Sequence, residues 1–231
     1  MEFKEIFEQY KYKTELHAHT FPVSSCSEIS AEDAVFAYAR AGAHSLVVTN
    51  HLGKWVRTDY TSKDYLDDYY KAVEAGEKYG VNVILGAELR FDDSPNDYLI
   101  YGIDENDIDA LAYYTAYDIE TLYREFKNDR NVIIQAHPFR SGMERIPSEF
   151  IDGIEAFNLH PNHNSRVGIS ARYAREERLL LSCGSDYHHK NHEALALVRT
   201  KKPLKDSFEV ADVLKSKDLL FDFSGNIVFP Y

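Results

Sequence analysis

Two histidines stand two apart in Thr14-Glu15-Leu16-His17-Ala18-His19, and an aspartate and a histidine stand two apart in Gly184-Ser185-Asp186-Tyr187-His188. On a strand, residues two apart point to the same side, so each pair offers two ligand atoms to one spot. Three further apolar runs end in a residue of the same kind. Ser45-Leu46-Val47-Val48-Thr49-Asn50 leads to His51, Val83-Ile84-Leu85-Gly86-Ala87 to Glu88, and Val132-Ile133-Ile134-Gln135-Ala136 to His137. Neutral imidazole and carboxylate suit zinc, iron or manganese, and a glutamate such as Glu88 can bridge two ions. The chemistry this pattern predicts is hydrolysis at a multinuclear metal centre.

A single histidine at a strand end, as His51 or His137 would be if it stood alone, is more often a hydrogen-bonded structural residue. Five separate strand ends that all carry ligand-type side chains, two of them as pairs, point instead to one shared site.

Such a site needs strands that end on the same face. The apolar runs are short, rich in Val, Ile and Leu, and separated by helical segments. That pattern predicts an α/β fold whose buried parallel strands form a sheet or a TIM-like barrel, with the ligand residues together at the C-terminal ends of the strands. Ser30 is placed to cap a helix that Gly42 ends, and 63–78 reads as an amphipathic helix stopped by Gly80. Further helices are expected over 119–127, 165–177 and 206–215. Strands are expected over 81–88, 98–101, 131–136, 153–157, 179–183, 219–223 and 227–229. Tyr65, Tyr69, Tyr70, Tyr113, Tyr114 and Tyr117 have the spacing of helix faces and are read as half-buried packing.

At 231 residues the chain suits one domain, 1–231, with room for a full core. The charged N-terminus lacks a signal-type apolar stretch and no segment is long enough to span a bilayer, so a soluble cytoplasmic protein with no membrane partner is expected. Cys26 and Cys183 are too few for a disulfide framework, and Cys183 is read as a small buried thiol. A formal charge of −12 argues against a stable nucleic-acid partner, whose affinity comes largely from Lys and Arg on phosphates. A small anionic substrate held by metals and a few arginines remains compatible.

At these residues the chain resembles the polymerase and histidinol phosphatase (PHP) family of metal-dependent phosphoesterases. The motifs are Glu-Leu-His-Ala-His at His17 and His19, Val-Thr-Asn-His at His51, Gly-Ala-Glu at Glu88, Ala-His-Pro at His137, and Gly-Ser-Asp-Tyr-His at Asp186 and His188. They occur in the family's order and cover nearly the whole chain. The resemblance implies a distorted (β/α)7 barrel with two or three divalent metal ions, zinc, manganese or iron. It implies that His17, His19, Glu88 and Asp186 hold one ion, that Glu88 and His137 share a second, and that His51 and His188 belong to a third.

The chain departs from the family pattern at three places. Asp97 stands where the family often has a histidine, and either ligation or a turn role is open to it. Cys26 aligns with a common acidic or histidine ligand, and is open to being a thiolate ligand, a neutral thiol or no ligand at all. Asn50 stands where many members have aspartate, which implies a missing carboxylate beside His51 and a weaker third site.

Arg90, two residues past Glu88, and Arg140, after Ala136-His137-Pro138-Phe139, are candidates to bind a substrate phosphate, because the guanidinium fork donates two hydrogen bonds at once. A rim salt bridge is the alternative for each. Glu155 and Asn158 resemble family residues near the active-site mouth and are expected to orient ligands or the following loop. His163 is open either to protonating a leaving group or to lying exposed without a role.

The expected reaction is hydrolysis of a small phosphate ester, such as histidinol phosphate or a nucleotide, with Glu88, Asp186 and His188 as the catalytic set. The rivals are an amidohydrolase-type metal hydrolase, which also uses His-x-His on the first strand, and a non-catalytic metal-binding module.

Overall fold

Three consecutive apolar residues in a strand must face both ways, and Leu46, Val47 and Val48 show what that requires. All three are buried. Val47 joins a cluster with Leu16 and Ile84 on one side, while Leu46 and Val48 pack on the other with Ala34, Val35, Tyr38 and Ala72. A strand covered on both faces by apolar groups reads as a continuous hydrophobic run, because neither face meets water.

The computed structural model describes residues 3–54 and 61–231. Among them are seven α-helices: α1 (Phe3–Gln9), α2 (Ala31–Arg40), α3 (Ser62–Tyr79), α4 (Asp107–Tyr114), α5 (Ile119–Phe126), α6 (Val167–Glu177) and α7 (Ser207–Ser216). The strands are β1 (Tyr12–Ala18), β2 (Ser45–Val48), β3 (His51–Leu52), β4 (Asn82–Leu85), β5 (Ala87–Arg90), β6 (Asp97–Tyr101), β7 (Val132–Gln135), β8 (Gly153–Asn158), β9 (Leu180–Gly184), β10 (Leu197–Thr200), β11 (Leu220–Phe223) and β12 (Asn226–Val228). None of the described helices is long and apolar enough to cross a membrane.

The strands pair as two six-stranded sheets, β12-β11-β10-β1-β2-β4 and β3-β5-β6-β7-β8-β9. Strand order and direction depart from the all-parallel barrel expected of the sequence. β5, β6 and β7 are antiparallel neighbours, as are β1 with β10 and β10 with β11. The six residues between Arg90 and Asp97 are too short for a crossover helix, so β6 must return beside β5. β10 was not expected at all: Leu197-Val198-Arg199-Thr200 is brief and interrupted by a charge. That charge is neutralised, since Arg199 Nε donates to Asp222 Oδ2 at 2.7 Å.

Two of the expected single runs are divided between the sheets. The segment ending at His51 forms β2 in one sheet and begins β3 in the other, and the segment ending at Glu88 does the same through β4 and β5. Tyr65 of α3 spans this junction, its hydroxyl donating to the carbonyl oxygens of Gly86 at 2.6 Å and Asn50 at 3.1 Å. The sheets share one apolar core, in which Leu16, Val47 and Ile84 meet Leu99, Ile134 and Ile154.

Helix ends follow their caps. Ser30 Oγ accepts from Asp33 N at 3.1 Å at the start of α2, and Thr61 and Asp64 form a reciprocal capping box on α3. Gly80 ends α3 in the left-handed conformation. The tyrosine reading holds in part. Tyr65 is buried, whereas Tyr70, Tyr113 and Tyr117 are exposed, and Tyr117 lies beyond the end of α4.

Candidate metal centre

β1 delivers His17 and, one residue beyond its end, His19. β3 and β5 run parallel with His51 directly opposite Glu88. His137 follows β7, and Asp186 and His188 follow β9. An isolated bridge between Ala18 and Tyr187, with His19 N donating to Tyr187 O at 3.0 Å, draws the last segment against the first. His137 and Asp186 both adopt positive φ, 31° and 52°, which non-glycine residues rarely do and which clusters at functional sites. Gly184 permits the close approach. A Cβ there would sit 2.4 Å from the Cβ of His17 and 2.7 Å from Glu155 Oε1.

The side chains converge on Glu88, which is 1% exposed. Its Oε1 lies 3.3 Å from the Nε2 atoms of both His17 and His137, and its Oε2 lies 3.2 Å from His19 Nε2 and 3.0 Å from His51 Nδ1. Asp186 Oδ1 is 3.5 Å from His17 Nε2 and His19 Nε2, and 3.3 Å from His188 Nδ1. Three sets have ligand atoms that all lie within 4.8 Å of one another: His17, His19 and Asp186; His19, His51 and His188; and His51, Glu88 and Asp97.

Burial opposes ionisation of Glu88 and Asp186, yet the surrounding imidazoles, His17 first among them, hold both carboxyls well below the usual range. Burial also opposes a charge on His17, but Glu155, Glu88 and Asp186 raise it well above its ordinary value. His19 is raised against its burial by the same two carboxylates of the cluster. Burial dominates at His51 and His188 and lowers both.

Hydrogen bonds outside the cluster fix the ring orientations. His17 Nδ1 lies 2.8 Å from Glu155 Oε1, so its proton sits there and Nε2 turns to the cluster. Ser24 Oγ donates to Asn50 Oδ1 at 2.8 Å and so accepts from His19 Nδ1, at 3.2 Å. The carboxylate that Asn50 was expected to leave missing arrives from α3. Asp68, 2% exposed, accepts from Asn50 Nδ2 at 3.1 Å and from Thr20 Oγ1 at 2.5 Å. The sequence held a signal for this, since Asp68 lies in the buried stripe of α3 between Tyr65 and Ala72. Glu15, also missed, is a fully buried acid in β1. Burial pushes its carboxyl up to about 7 against hydrogen bonds from Ser185 and Tyr38.

The outer residues are placed as follows. Asp97 is buried at the start of β6, opposite Arg90, whose Nε donates to Asp97 Oδ1 at 2.6 Å and whose Nη2 pairs with Oδ2. Its Oδ2 is 3.7 Å from His137 Nε2, so the side chain joins the cluster and does not cap the turn. Arg140 Nη2 donates to Asp186 Oδ2 at 2.5 Å and Asn158 Oδ1 at 2.9 Å. Both arginines therefore carry carboxylate partners at the rim. Cys26 Sγ is 3.2 Å from His188 Nε2, and burial together with Glu88 and Asp186 pushes the thiol up to about 12. His163 is exposed on a loop with its ring 4.7 Å from that of His160. Cys183 is buried in β9. Glu88, Asp97, Asp186 and the two arginines line a cleft of about 240 Å³ whose outer wall includes His160 and His163.

The donor set fits divalent cations. Glu88 Oε1 is buried and, among the described residues, takes no well-formed hydrogen bond, although two imidazole nitrogens stand 3.3 Å away. A buried carboxylate oxygen without a donor is costly, and a cation among imidazoles and carboxylates removes that cost.

No family model matches the chain, and no curated protein matches it. Solved structures do share its fold. A two-domain protein from Bacteroides vulgatus containing a predicted PHP-like metal-dependent phosphoesterase is 17% identical, with a TM-score of 0.64; the match covers 92% of this chain and 64% of that one. A putative metal-dependent phosphoesterase from Bifidobacterium adolescentis is 16% identical with a TM-score of 0.52, covering 87% and 95% of the two chains. An amidohydrolase from Chromobacterium violaceum, solved with sulfate and no metal, is 14% identical with a TM-score of 0.52, covering 78% and 89%. The chain thus spans less than two thirds of the first of these proteins. The resemblance drawn from the motifs holds at the level of the fold.

Proposed function

We propose that this chain is a metal-dependent phosphoesterase of the PHP type, acting on a small phosphate ester. The observation that carries the reading is the convergence of four histidines on the two oxygens of Glu88, with Asp186 facing three histidines beside it. In this reading residues 1–231 act as one domain and the two sheets are the halves of a distorted barrel.

His17, His19, Glu88 and Asp186 would hold one ion, Glu88 and His137 with Asp97 a second, and His51 and His188 with Cys26 a third. When bound, divalent ions supply Lewis acidity toward a phosphoryl oxygen and acidify a water that serves as nucleophile. The chain's own part is positioning and charge. Glu88 and Asp186 stay ionised and so present oxygens, not protons, to the centre. His188 Nδ1 lies 2.8 Å from the carbonyl oxygen of Asp186, which must accept its proton and leaves Nε2 as an acceptor. Burial lowers its pKa, which suits His188 to the role of a ligand or base. Arg140 and Arg90 bring positive charge to the cleft where a phosphoryl oxygen would enter, each restrained by a carboxylate that sets its direction.

The test is a panel of phosphate monoesters, nucleotides and amide or lactone substrates, offered to protein reloaded separately with manganese, iron or zinc. Phosphate release that depends on the metal supports this reading. Amide or lactone cleavage without phosphate release would assign the chain to amidohydrolase chemistry, and binding of metal without turnover to a non-catalytic module.

A further inference from the structure

Glu15 stands inside β1 between Thr14 and Leu16, fully buried, and its carboxylate accepts five hydrogen bonds. Oε1 takes the backbone N–H groups of Leu16 at 3.1 Å, His17 at 3.0 Å and Ser185 at 3.0 Å. Oε2 takes the hydroxyls of Ser185 at 2.5 Å and Tyr38 at 2.6 Å. One of these donors is the backbone of a candidate ligand, His17, and two belong to the residue immediately before another, Asp186. The carboxylate therefore bolts the first ligand pair to the segment that carries the second.

Stability alone does not account for a carboxylate here. Among the described residues Glu15 makes no ion pair, and a buried charge without a counter-charge is costly even when it is well hydrogen-bonded. Leu16 and Ala18 on the same strand are fully buried apolar residues, whereas Glu15 sits with His17 and Ser185, both fully buried and polar, so it belongs to the polar side of the strand that faces the ligand segments. An acid in that place does what an apolar group cannot: it holds three N–H groups from two chain segments at one point. Gly184, directly before Ser185, allows the segments to come so close, since a Cβ there would meet Glu15 Oε1 at 3.4 Å and His17 Cβ at 2.4 Å.

We propose that Glu15 is a positioning residue of the metal centre. Its carboxylate fixes the backbone of His17 against that of Ser185, and so keeps the His17/His19 pair and Asp186 at the separation a shared cation requires. The proposal rests on the metal-centre reading above.

The experiment titrates zinc into the whole chain against a chromogenic chelator, at a temperature where each protein is folded by circular dichroism. Glu15→Gln keeps the side-chain shape and replaces one acceptor by a donor. Ile100→Val, in the apolar core of β6, serves as a control that lowers stability without touching the junction. Glu15→Gln is expected to weaken zinc binding roughly ten- to a hundredfold, the range found when outer partners of metal ligands are lost, while Ile100→Val binds zinc as the parent does. Tyr38→Phe removes one of the five hydrogen bonds from outside both ligand segments and is expected to weaken binding by less than Glu15→Gln. It also decides the question by the same criterion if Glu15→Gln does not fold. Zinc affinity equal to the parent's in the deciding variant, or an equal loss in Ile100→Val, overturns the proposal. A parent protein that binds no zinc overturns the metal-centre reading and this proposal with it; equal binding by parent and variant overturns this proposal alone.

Discussion

His17 and Glu155 form a fully buried pair, Nδ1 to Oε1 at 2.8 Å, and the same glutamate accepts through Oε2 from His137 N at 3.1 Å and Asn158 Nδ2 at 2.9 Å. One carboxylate thus orients the ring of one candidate ligand and the backbone of another. Replacing it by glutamine leaves the space filled but removes the charge that fixes the tautomer of His17. Glu155→Gln should lower metal affinity about 10–100-fold, measured as metal retained after dialysis against a series of fixed free-zinc concentrations. Full retention across the series would contradict the role.

Among the described residues Glu88 is the one carboxylate in contact with four histidines, so its loss should remove more than one ion. Elemental analysis of reconstituted Glu88→Gln is expected to give at least two fewer equivalents than the parent if three are bound, and none if two are. In the metal-free protein the same change breaks a buried ion pair and should cost about 3–5 kcal/mol at pH values where His17 is protonated. Chemical denaturation of the two metal-free proteins measures it. A stability equal to the parent's would contradict it.

The opposed shifts of His17 and the carboxylates set a pH dependence. His17 is raised above its ordinary 6.5, so in the metal-free protein its contribution to stability is complete below 6.5 and is lost as pH rises through the folded value. Glu88 and Asp186 are depressed, so theirs is present above the ordinary carboxylate range and is lost only as pH falls through the folded values. A cation must displace the protons of His17 and His19, so affinity should rise with pH until His17 is neutral. Adding manganese to weakly buffered metal-free protein at pH 7 should acidify the solution, and binding without acidification would show that the histidines were already neutral.

Arg140 reaches Asp186 and Asn158 through one nitrogen, while its buried Nε has no hydrogen-bond partner among the described residues. Arg140→Lys keeps a positive charge near Asp186 and loses the planar fork. We expect kcat/KM for the best phosphate ester to fall about tenfold or more, equivalent to about 1.4 kcal/mol or more, with metal content unchanged. An unchanged kcat/KM would assign Arg140 to the rim salt bridge alone.

Gly184→Ala puts a methyl group into the junction between His17 and Glu155, where the backbone cannot easily yield. Overpacking of this kind costs about 1–3 kcal/mol, and here it should also lower metal affinity. Thermal unfolding with and without zinc measures both effects, and a variant as stable as the parent that gains the same stability from zinc would contradict the close approach.

Much of the candidate centre was legible because a strand fixes where its side chains point. The His17/His19 spacing, the run to Glu88 and the Asp186/His188 pair needed only alternation and apolar length to be read. Strand direction was less accessible, because β6 and β7 are largely apolar, as parallel strands are, and only the short Arg90–Asp97 connection reveals that β6 returns. The division of the runs near Asn50 and Gly86 between two sheets leaves no mark in hydrophobicity. Asp68 and Glu15 were overlooked for a common reason: each stands among other polar residues in its element, and only the fold shows that its side chain is buried against the ligand segments. The roles of Asp97 and Cys26 stayed open because they depend on contacts with His137 and His188, which are distant in sequence.

The measurement that reaches the central claim most directly is a crystal structure of protein loaded with manganese or zinc, with anomalous difference density recorded for the metal. The account predicts at least two peaks, one bounded by His17, His19, Glu88 and Asp186 and another sharing Glu88 with His137. Well-ordered crystals of protein loaded at saturating metal that show no anomalous density around Glu88 would contradict it.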